Sequence, residues 1–143
     1  FYLKLRNPKD FLRYLATLDF DFRFMLYTIS ESRDTQIIID EFKPLLKEKL
    51  IVIYDLDRNK LISELSLVDF LINFENTSSN QEPSKLIDYT IAGRPICSIS
   101  TQLFKKETFV NFITGHFDQR VIVDLNDYNI KIVSQKILNL TAI

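Results

Sequence analysis

Short apolar runs alternate along this chain with segments whose apolar residues recur at helical spacing. Residues 50–54 (LIVIY) form the clearest apolar run, as expected of a parallel strand that is covered on both faces. Pro8 suits the first turn of a helix, and Phe11 and Leu15 follow it at helical spacing. Such alternation is typical of successive strand–helix units.

The pattern predicts about five strands and six or seven helices. Strands are expected at residues 22–27, 50–54, 70–74, 95–99 and 120–124. Helices are expected after Pro8, from an N-cap at Asp34 until Pro44 ends or kinks the helix, and from an N-cap at Asp57 through Leu65. Further helices are expected from Pro83 to Ile91, from Phe104 to Phe112 and from Tyr128 to Leu140. We therefore predict an α/β fold with an open, doubly wound parallel sheet of Rossmann-like type.

Length and composition indicate one domain over residues 1–143, with a real apolar core, since 46% of the residues are hydrophobic. Lys and Arg total 18 against 19 Asp and Glu, which argues against nucleic acid as a partner. No apolar run has the length of a membrane span. The single cysteine, Cys97, excludes an internal disulfide and favours the cytoplasm. The chain opens at Phe1, without Met or a signal peptide, so we expect a piece of a longer protein.

Candidate chemistry concentrates where a polar loop, residues 76–83, leads into the helix predicted from Pro83. A helix start offers backbone N–H groups and a positive dipole end, to which Ser84 adds a hydroxyl and Lys85 a cation. Asp88 shares a helix face with both side chains. Phosphate at the helix start with a ribose on Asp88 is one interpretation. Ordinary helix capping is the other.

No metal site is expected, because His116 is the only histidine and no cysteine cluster accompanies it. Cys97 stands within an apolar strand and is interpreted as a small core residue.

Residues 80–96 (NQEPSKLIDYTIAGRPI) resemble the nucleotide-sugar motif of GT-B glycosyltransferases of the family 4 and family 1 type, whose bacterial members carry P-S-K-L-x-E-Y-x-A-x-G-K-P-I. Residues 69–73 (DFLIN) resemble the strand that precedes this motif. Residues 2–8 (YLKLRNP) resemble the basic segment that follows the first strand of the domain. The order of elements agrees over essentially the whole chain. The resemblance implies a C-terminal, donor-binding domain whose first strand would precede Phe1.

The resemblance also implies roles for individual residues. Asn80 stands where the family has a sugar-facing Glu, with Glu82 two residues away, so that contact departs from the pattern. Asp88 matches the second acidic position, which binds the ribose. The remaining roles are donor phosphate binding by Pro83, Ser84, Lys85, Leu86 and Arg6, catalytic stabilisation of the leaving diphosphate by Lys85 and Arg6, and base binding by Asp55 and Leu56.

The implied activity is transfer of a sugar from a nucleoside-diphosphate sugar to an acceptor, in surface polysaccharide or glycolipid synthesis. The resemblance implies no cofactor and no metal. The expected partners are the donor, an N-terminal domain of the same protein and a membrane-associated acceptor at the inner face, and this chain alone would be inactive. Two alternatives stay open. One is a receiver-like module with Asp55 as phosphoacceptor, although no paired acids stand near residues 27–29. The other is a degenerate nucleotide-binding scaffold, which Asn80 favours.

Overall fold

The computed structural model describes residues 3–76 and 85–128 as a mixed α/β structure. The strands are β1 (Phe24–Thr28), β2 (Leu50–Tyr54), β3 (Leu71–Phe74) and β4 (Ile96–Ile99). The helices are α1 (Lys9–Ala16), α2 (Arg33–Leu46), α3 (Arg58–Leu65), α4 (Lys85–Ala92) and α5 (Lys106–Ile113), with short 3₁₀ turns at Lys47–Lys49 and Leu125–Tyr128. None of these helices is long and apolar enough to cross a bilayer.

The four strands form two parallel pairs. β1 pairs with β2 in the register Phe24 to Leu50, and β3 pairs with β4 in the register Leu71 to Ile96. Within the described residues no ladder joins the two pairs. The α/β class and the parallel strands are therefore confirmed, whereas the described strands form two pairs in place of the single predicted sheet.

Buried apolar side chains form two clusters, of which the larger contains residues of both strand pairs. Along β3, the side chains of Ile72 and Phe74 belong to the larger cluster, while the side chain of Leu71, at the start of the strand, belongs to the smaller one. The larger cluster contains buried residues of α1, α2 and α5, and the smaller contains those of α3 and α4. Because successive side chains of a strand point to opposite faces, helices cover both faces of the strands.

Helix α1 packs against both strand pairs through Phe11. The Phe11 ring centroid lies 5.9 Å from that of Phe24 in β1 and 5.5 Å from that of Phe74 in β3. Both contacts have the edge-to-face geometry that aromatic rings prefer. Phe11 therefore connects two pairs that no backbone hydrogen bond joins among the described residues.

The prediction of a strand at residues 120–124 is wrong. This segment has no regular secondary structure, and its one backbone hydrogen bond to a strand in the described structure runs from the Val121 N–H to the Ile96 carbonyl, at 2.9 Å. Val121 and Val123 pack on the smaller cluster while Ile122 stays 82% exposed. The apolar alternation thus reflects which side chains pack on the cluster, in a segment that forms no ladder in the described structure. Of the helix predicted at 128–140, residue 128 ends a 3₁₀ turn and the rest lies outside the described residues.

Two predicted helix ends also need correction. Of the two predicted outcomes at Pro44, an end of the helix is excluded, since α2 continues to Leu46 with Pro44 inside its last turn. Asp34 is not the N-cap of α2, since Ser32 holds that position. Asp57 does cap α3 as predicted, accepting the Lys60 N–H at 3.0 Å.

Candidate anion-binding site

Arg6 lies in a loop beside the carboxyl end of β3. Its Nε donates a hydrogen bond to Oδ1 of Asn76, which follows that strand. At the other end of the loop, the Leu3 N–H donates to Asp34 Oδ2 at 2.8 Å, in the first turn of the helix that follows β1. Residues 3–6 therefore lie between the carboxyl ends of β1 and β3.

Lys85, at the start of α4, lies within the electrostatic range of Arg6. Partial desolvation by the surrounding protein and, to a smaller extent, the positive charge of Arg6 lower the pKa of Lys85, although much of the residue's surface stays exposed. In the parts of the chain that the structure describes, neither cation forms an ion pair with a carboxylate. Two cations of this kind attract an anion.

Tyr89 lies one helical turn beyond Lys85 and belongs to the same group of side chains. Burial raises the pKa of Tyr89 to about 12, with Arg6 opposing the rise and Asp88 adding to it. The phenol therefore keeps its proton at neutral pH and remains a hydrogen-bond donor close to both charges.

Asp88 is held by a residue of the neighbouring helix. Arg58, in the first turn of α3, donates from Nε at 2.9 Å and from Nη2 at 2.7 Å, both to Oδ1 of Asp88. The hydrogen bond and the charge of Asp88 raise the pKa of Arg58. Among the described residues, Oδ2 of Asp88 accepts no hydrogen bond.

The structure brings Arg6, Lys85 and Asp88 together from the predicted set. Leu86 directs its side chain into the smaller cluster at 5% exposure, so any contribution to a ligand comes from its main chain. Four further predicted residues lie outside the described residues, namely Asn80, Glu82, Pro83 and Ser84.

Asp55, predicted to lie near a base, connects two loops. It adopts a left-handed backbone conformation with φ of 56°, its N–H donates to the Thr28 carbonyl at 2.9 Å, and its Oδ1 accepts the Ser30 N–H at 3.0 Å. Leu56 beside it is half-buried. Arg58 follows directly in the next helix, so this loop adjoins the Asp88 side of the site.

Three residues of the site were not predicted: Asn76, Tyr89 and Arg58. Asn76 follows a strand and Tyr89 lies one turn beyond Lys85, so both positions carried a signal. The role of Arg58 depends on how α3 packs on α4, which sequence spacing does not encode.

The other singled-out side chains lie elsewhere. Cys97 is a core residue as predicted, fully buried in β4, and burial raises the pKa of its thiol to about 12. His116 Nδ1 lies 3.0 Å from Thr114 Oγ1. Across residues 3–76 and 85–128, no group of three or more His, Cys, Asp or Glu side chains could hold a metal ion.

The chain matches no protein-family model, no curated protein and no solved structure.

Proposed function

We propose that this chain is the donor-binding domain of a GT-B-type glycosyltransferase, which transfers a sugar from a nucleoside-diphosphate sugar. The position of Arg6 beside the carboxyl end of β3, where its charge reaches the start of the helix that carries Lys85 and Asp88, carries the proposal. Arg6 and Lys85 come from distant parts of the sequence and have no carboxylate partner among the described residues. Asp88, one turn further along α4, adds an acceptor suited to hydroxyl groups.

A diphosphate fits the positive side of this arrangement. Its negative charge would lie against Arg6, Lys85 and the positive end of α4, with the ribose hydroxyls on Asp88. As the sugar leaves, charge develops on the diphosphate, and the two cations stabilise it most in the transition state. Loss of either cation is therefore expected to lower turnover as well as affinity.

The same proposal includes one doubly wound sheet, with a further parallel strand between β1 and β3. Phe11 of α1 contacts both of these strands, and residues 3–6 lie between their carboxyl ends. A strand that ran up this space would end where the loop into α1 begins. The crossover from such a strand through α1 to β1 would be the usual connection between neighbouring parallel strands.

The wider setting of the proposal follows the resemblance. An N-terminal domain of the same protein would bind the acceptor, a polysaccharide or glycolipid precursor at the inner face of a membrane. Within this setting the present domain supplies the donor site and works in the cytoplasm.

Calorimetric titration of the chain with UDP, GDP and ADP tests the donor site. We expect one nucleotide to bind and Asp88→Ala to weaken it about tenfold or more, since a hydrogen bond to a charged group is lost. Glu107→Ala is the matched control, because Glu107 is an exposed carboxylate in the first turn of α5. Binding by none of the three nucleotides, either to this chain or to the full-length protein that contains the proposed strand, would overturn the proposal.

A further inference from the structure

Arg58 contacts Asp88 from the start of α3, a helix end that the N-cap residue Asp57 stabilises. Asp57 caps α3 by accepting the Lys60 N–H, which places Arg58 in the first turn. From there the guanidinium spans to α4 and donates twice to the same oxygen of Asp88. The contact therefore connects the loop after β2 with the helix that carries Lys85.

We expect the ion pair between Arg58 and Asp88 to contribute little to the free energy of unfolding. The Arg58 side chain is 64% exposed and that of Asp88 is 25% exposed. Exposed ion pairs contribute little to folding, because water screens the charges and the side chains lose freedom. What the pair does determine is the direction of the carboxylate.

Without Arg58, the Asp88 carboxylate would have another cation within reach. Lys85 lies three residues earlier on the same helix, a spacing at which opposite charges pair readily. A pair between Asp88 and Lys85 would neutralise the ammonium and turn the carboxylate away from a ligand hydroxyl. In the structure Asp88 pairs with Arg58, and Lys85 forms no ion pair with a described carboxylate.

We propose that Arg58 is a positioning residue that holds Asp88 towards ligand hydroxyls and keeps Lys85 and Arg6 free for phosphate. This inference rests on the proposed function, in which Asp88 binds the ribose, and adds that Arg58 determines how well the site discriminates a ribonucleoside diphosphate from its 2′-deoxy form. Arg58 acts through the carboxylate and need not touch the ligand.

The test compares the nucleotide that binds the chain with its 2′-deoxy counterpart, in the wild type and in Arg58→Ala. We expect the wild type to prefer the ribonucleotide by about tenfold, the order of one hydrogen bond to a charged group. Arg58→Ala is expected to lose most of that preference, and Arg58→Lys to recover part of it. Lys60→Ala is the control, since Lys60 is an exposed cation on the same helix that pairs only with Asp57 among the described residues.

A double-variant cycle separates positioning from a general effect on structure. Once Asp88→Ala has removed the carboxylate, adding Arg58→Ala should leave the ratio between ribo- and deoxynucleotide unchanged. A folded Arg58→Ala protein with the full wild-type preference would overturn the role of Arg58, while nucleotide binding would still support the donor site. No binding of any nucleotide by the wild type, either as this chain or as the full-length protein, would overturn both.

Discussion

Lys85 carries a charge that its surroundings disfavour. Desolvation and the nearby Arg6 lower its pKa below the ordinary 10.5, and no described carboxylate pairs with it to offset this. A cation held in this way gains more from a bound anion than a fully solvated lysine does, because the anion replaces interactions that the ammonium has lost. The residue therefore links proton binding to ligand binding.

The first prediction concerns this linkage. A bound diphosphate raises the pKa of Lys85, so binding takes up protons, and affinity falls as pH rises through the lowered pKa. In the free protein the sign is opposite, since a depressed lysine pKa makes the fold gain stability as pH rises from that value towards 10.5. Titrations at about pH 7 and about pH 10 measure the loss of affinity.

Lys85→Arg supplies the control for that experiment. Its guanidinium stays charged over the whole range, so the variant reports only the ionisation of the ligand and of other groups. The affinity of the wild type should fall more steeply with pH than that of the variant. Equal pH dependence in both proteins would mean that Lys85 does not contact the anion.

At the scale of elements, α1 packs against both strand pairs. Phe11 is 2% exposed and touches Phe24 and Phe74, one ring from each pair. Phe11→Ala is therefore expected to lower the free energy of unfolding by about 3–5 kcal/mol, as buried Phe to Ala changes do. Amide hydrogen exchange should speed up in β1 and in β3 alike.

Val110→Ala serves as the comparison for Phe11→Ala. Val110 lies on α5 and is 37% exposed, so its truncation should cost far less and leave both strand pairs protected. If Phe11→Ala exposes the amides of only one pair, α1 does not couple them.

The elements that sequence predicted best are those with the strongest burial signal. β2 was predicted and found at residues 50–54, because a run of five apolar side chains favours a strand, although only Leu50 is fully buried and Tyr54 is exposed. The segment at 120–124 misled the prediction for a physical reason. Alternation reports which side chains face a core, and Val121 and Val123 face one without belonging to a sheet. Pairing depends on neighbours that a local pattern does not contain.

At the scale of the molecule, the proposed strand between β1 and β3 gives a further prediction. Extending the chain ahead of Phe1 by a short Val- and Ile-rich strand should raise Tm and slow amide exchange along both flanking strands. An extension of equal length with alternating prolines lacks the ladder donors and should do neither. Equal protection by the two extensions would argue against a strand position there.

The candidate site could be predicted only in part, because some of its contacts depend on how distant elements pack together. Arg6, Lys85 and Asp88 were accessible to sequence because each belongs to a local motif, and the fold then brought Arg6 beside α4. The role of Arg58 could not be predicted, since its contact with Asp88 joins residues thirty positions apart on two helices, and no sequence motif specifies how these helices pack. The side chains that orient a site are therefore harder to predict than those that face its ligand.

The rate at which a thiol reagent labels Cys97 reports how often the core of the protein opens. It is the only thiol in the sequence, it lies fully buried in β4, and its raised pKa keeps it in the unreactive protonated form. A thiol reagent can modify it only during the brief intervals when the core comes apart. The labelling rate thus measures how often the core opens, and no second cysteine has to be introduced. A ligand that binds the closed state makes opening rarer and therefore slows the labelling.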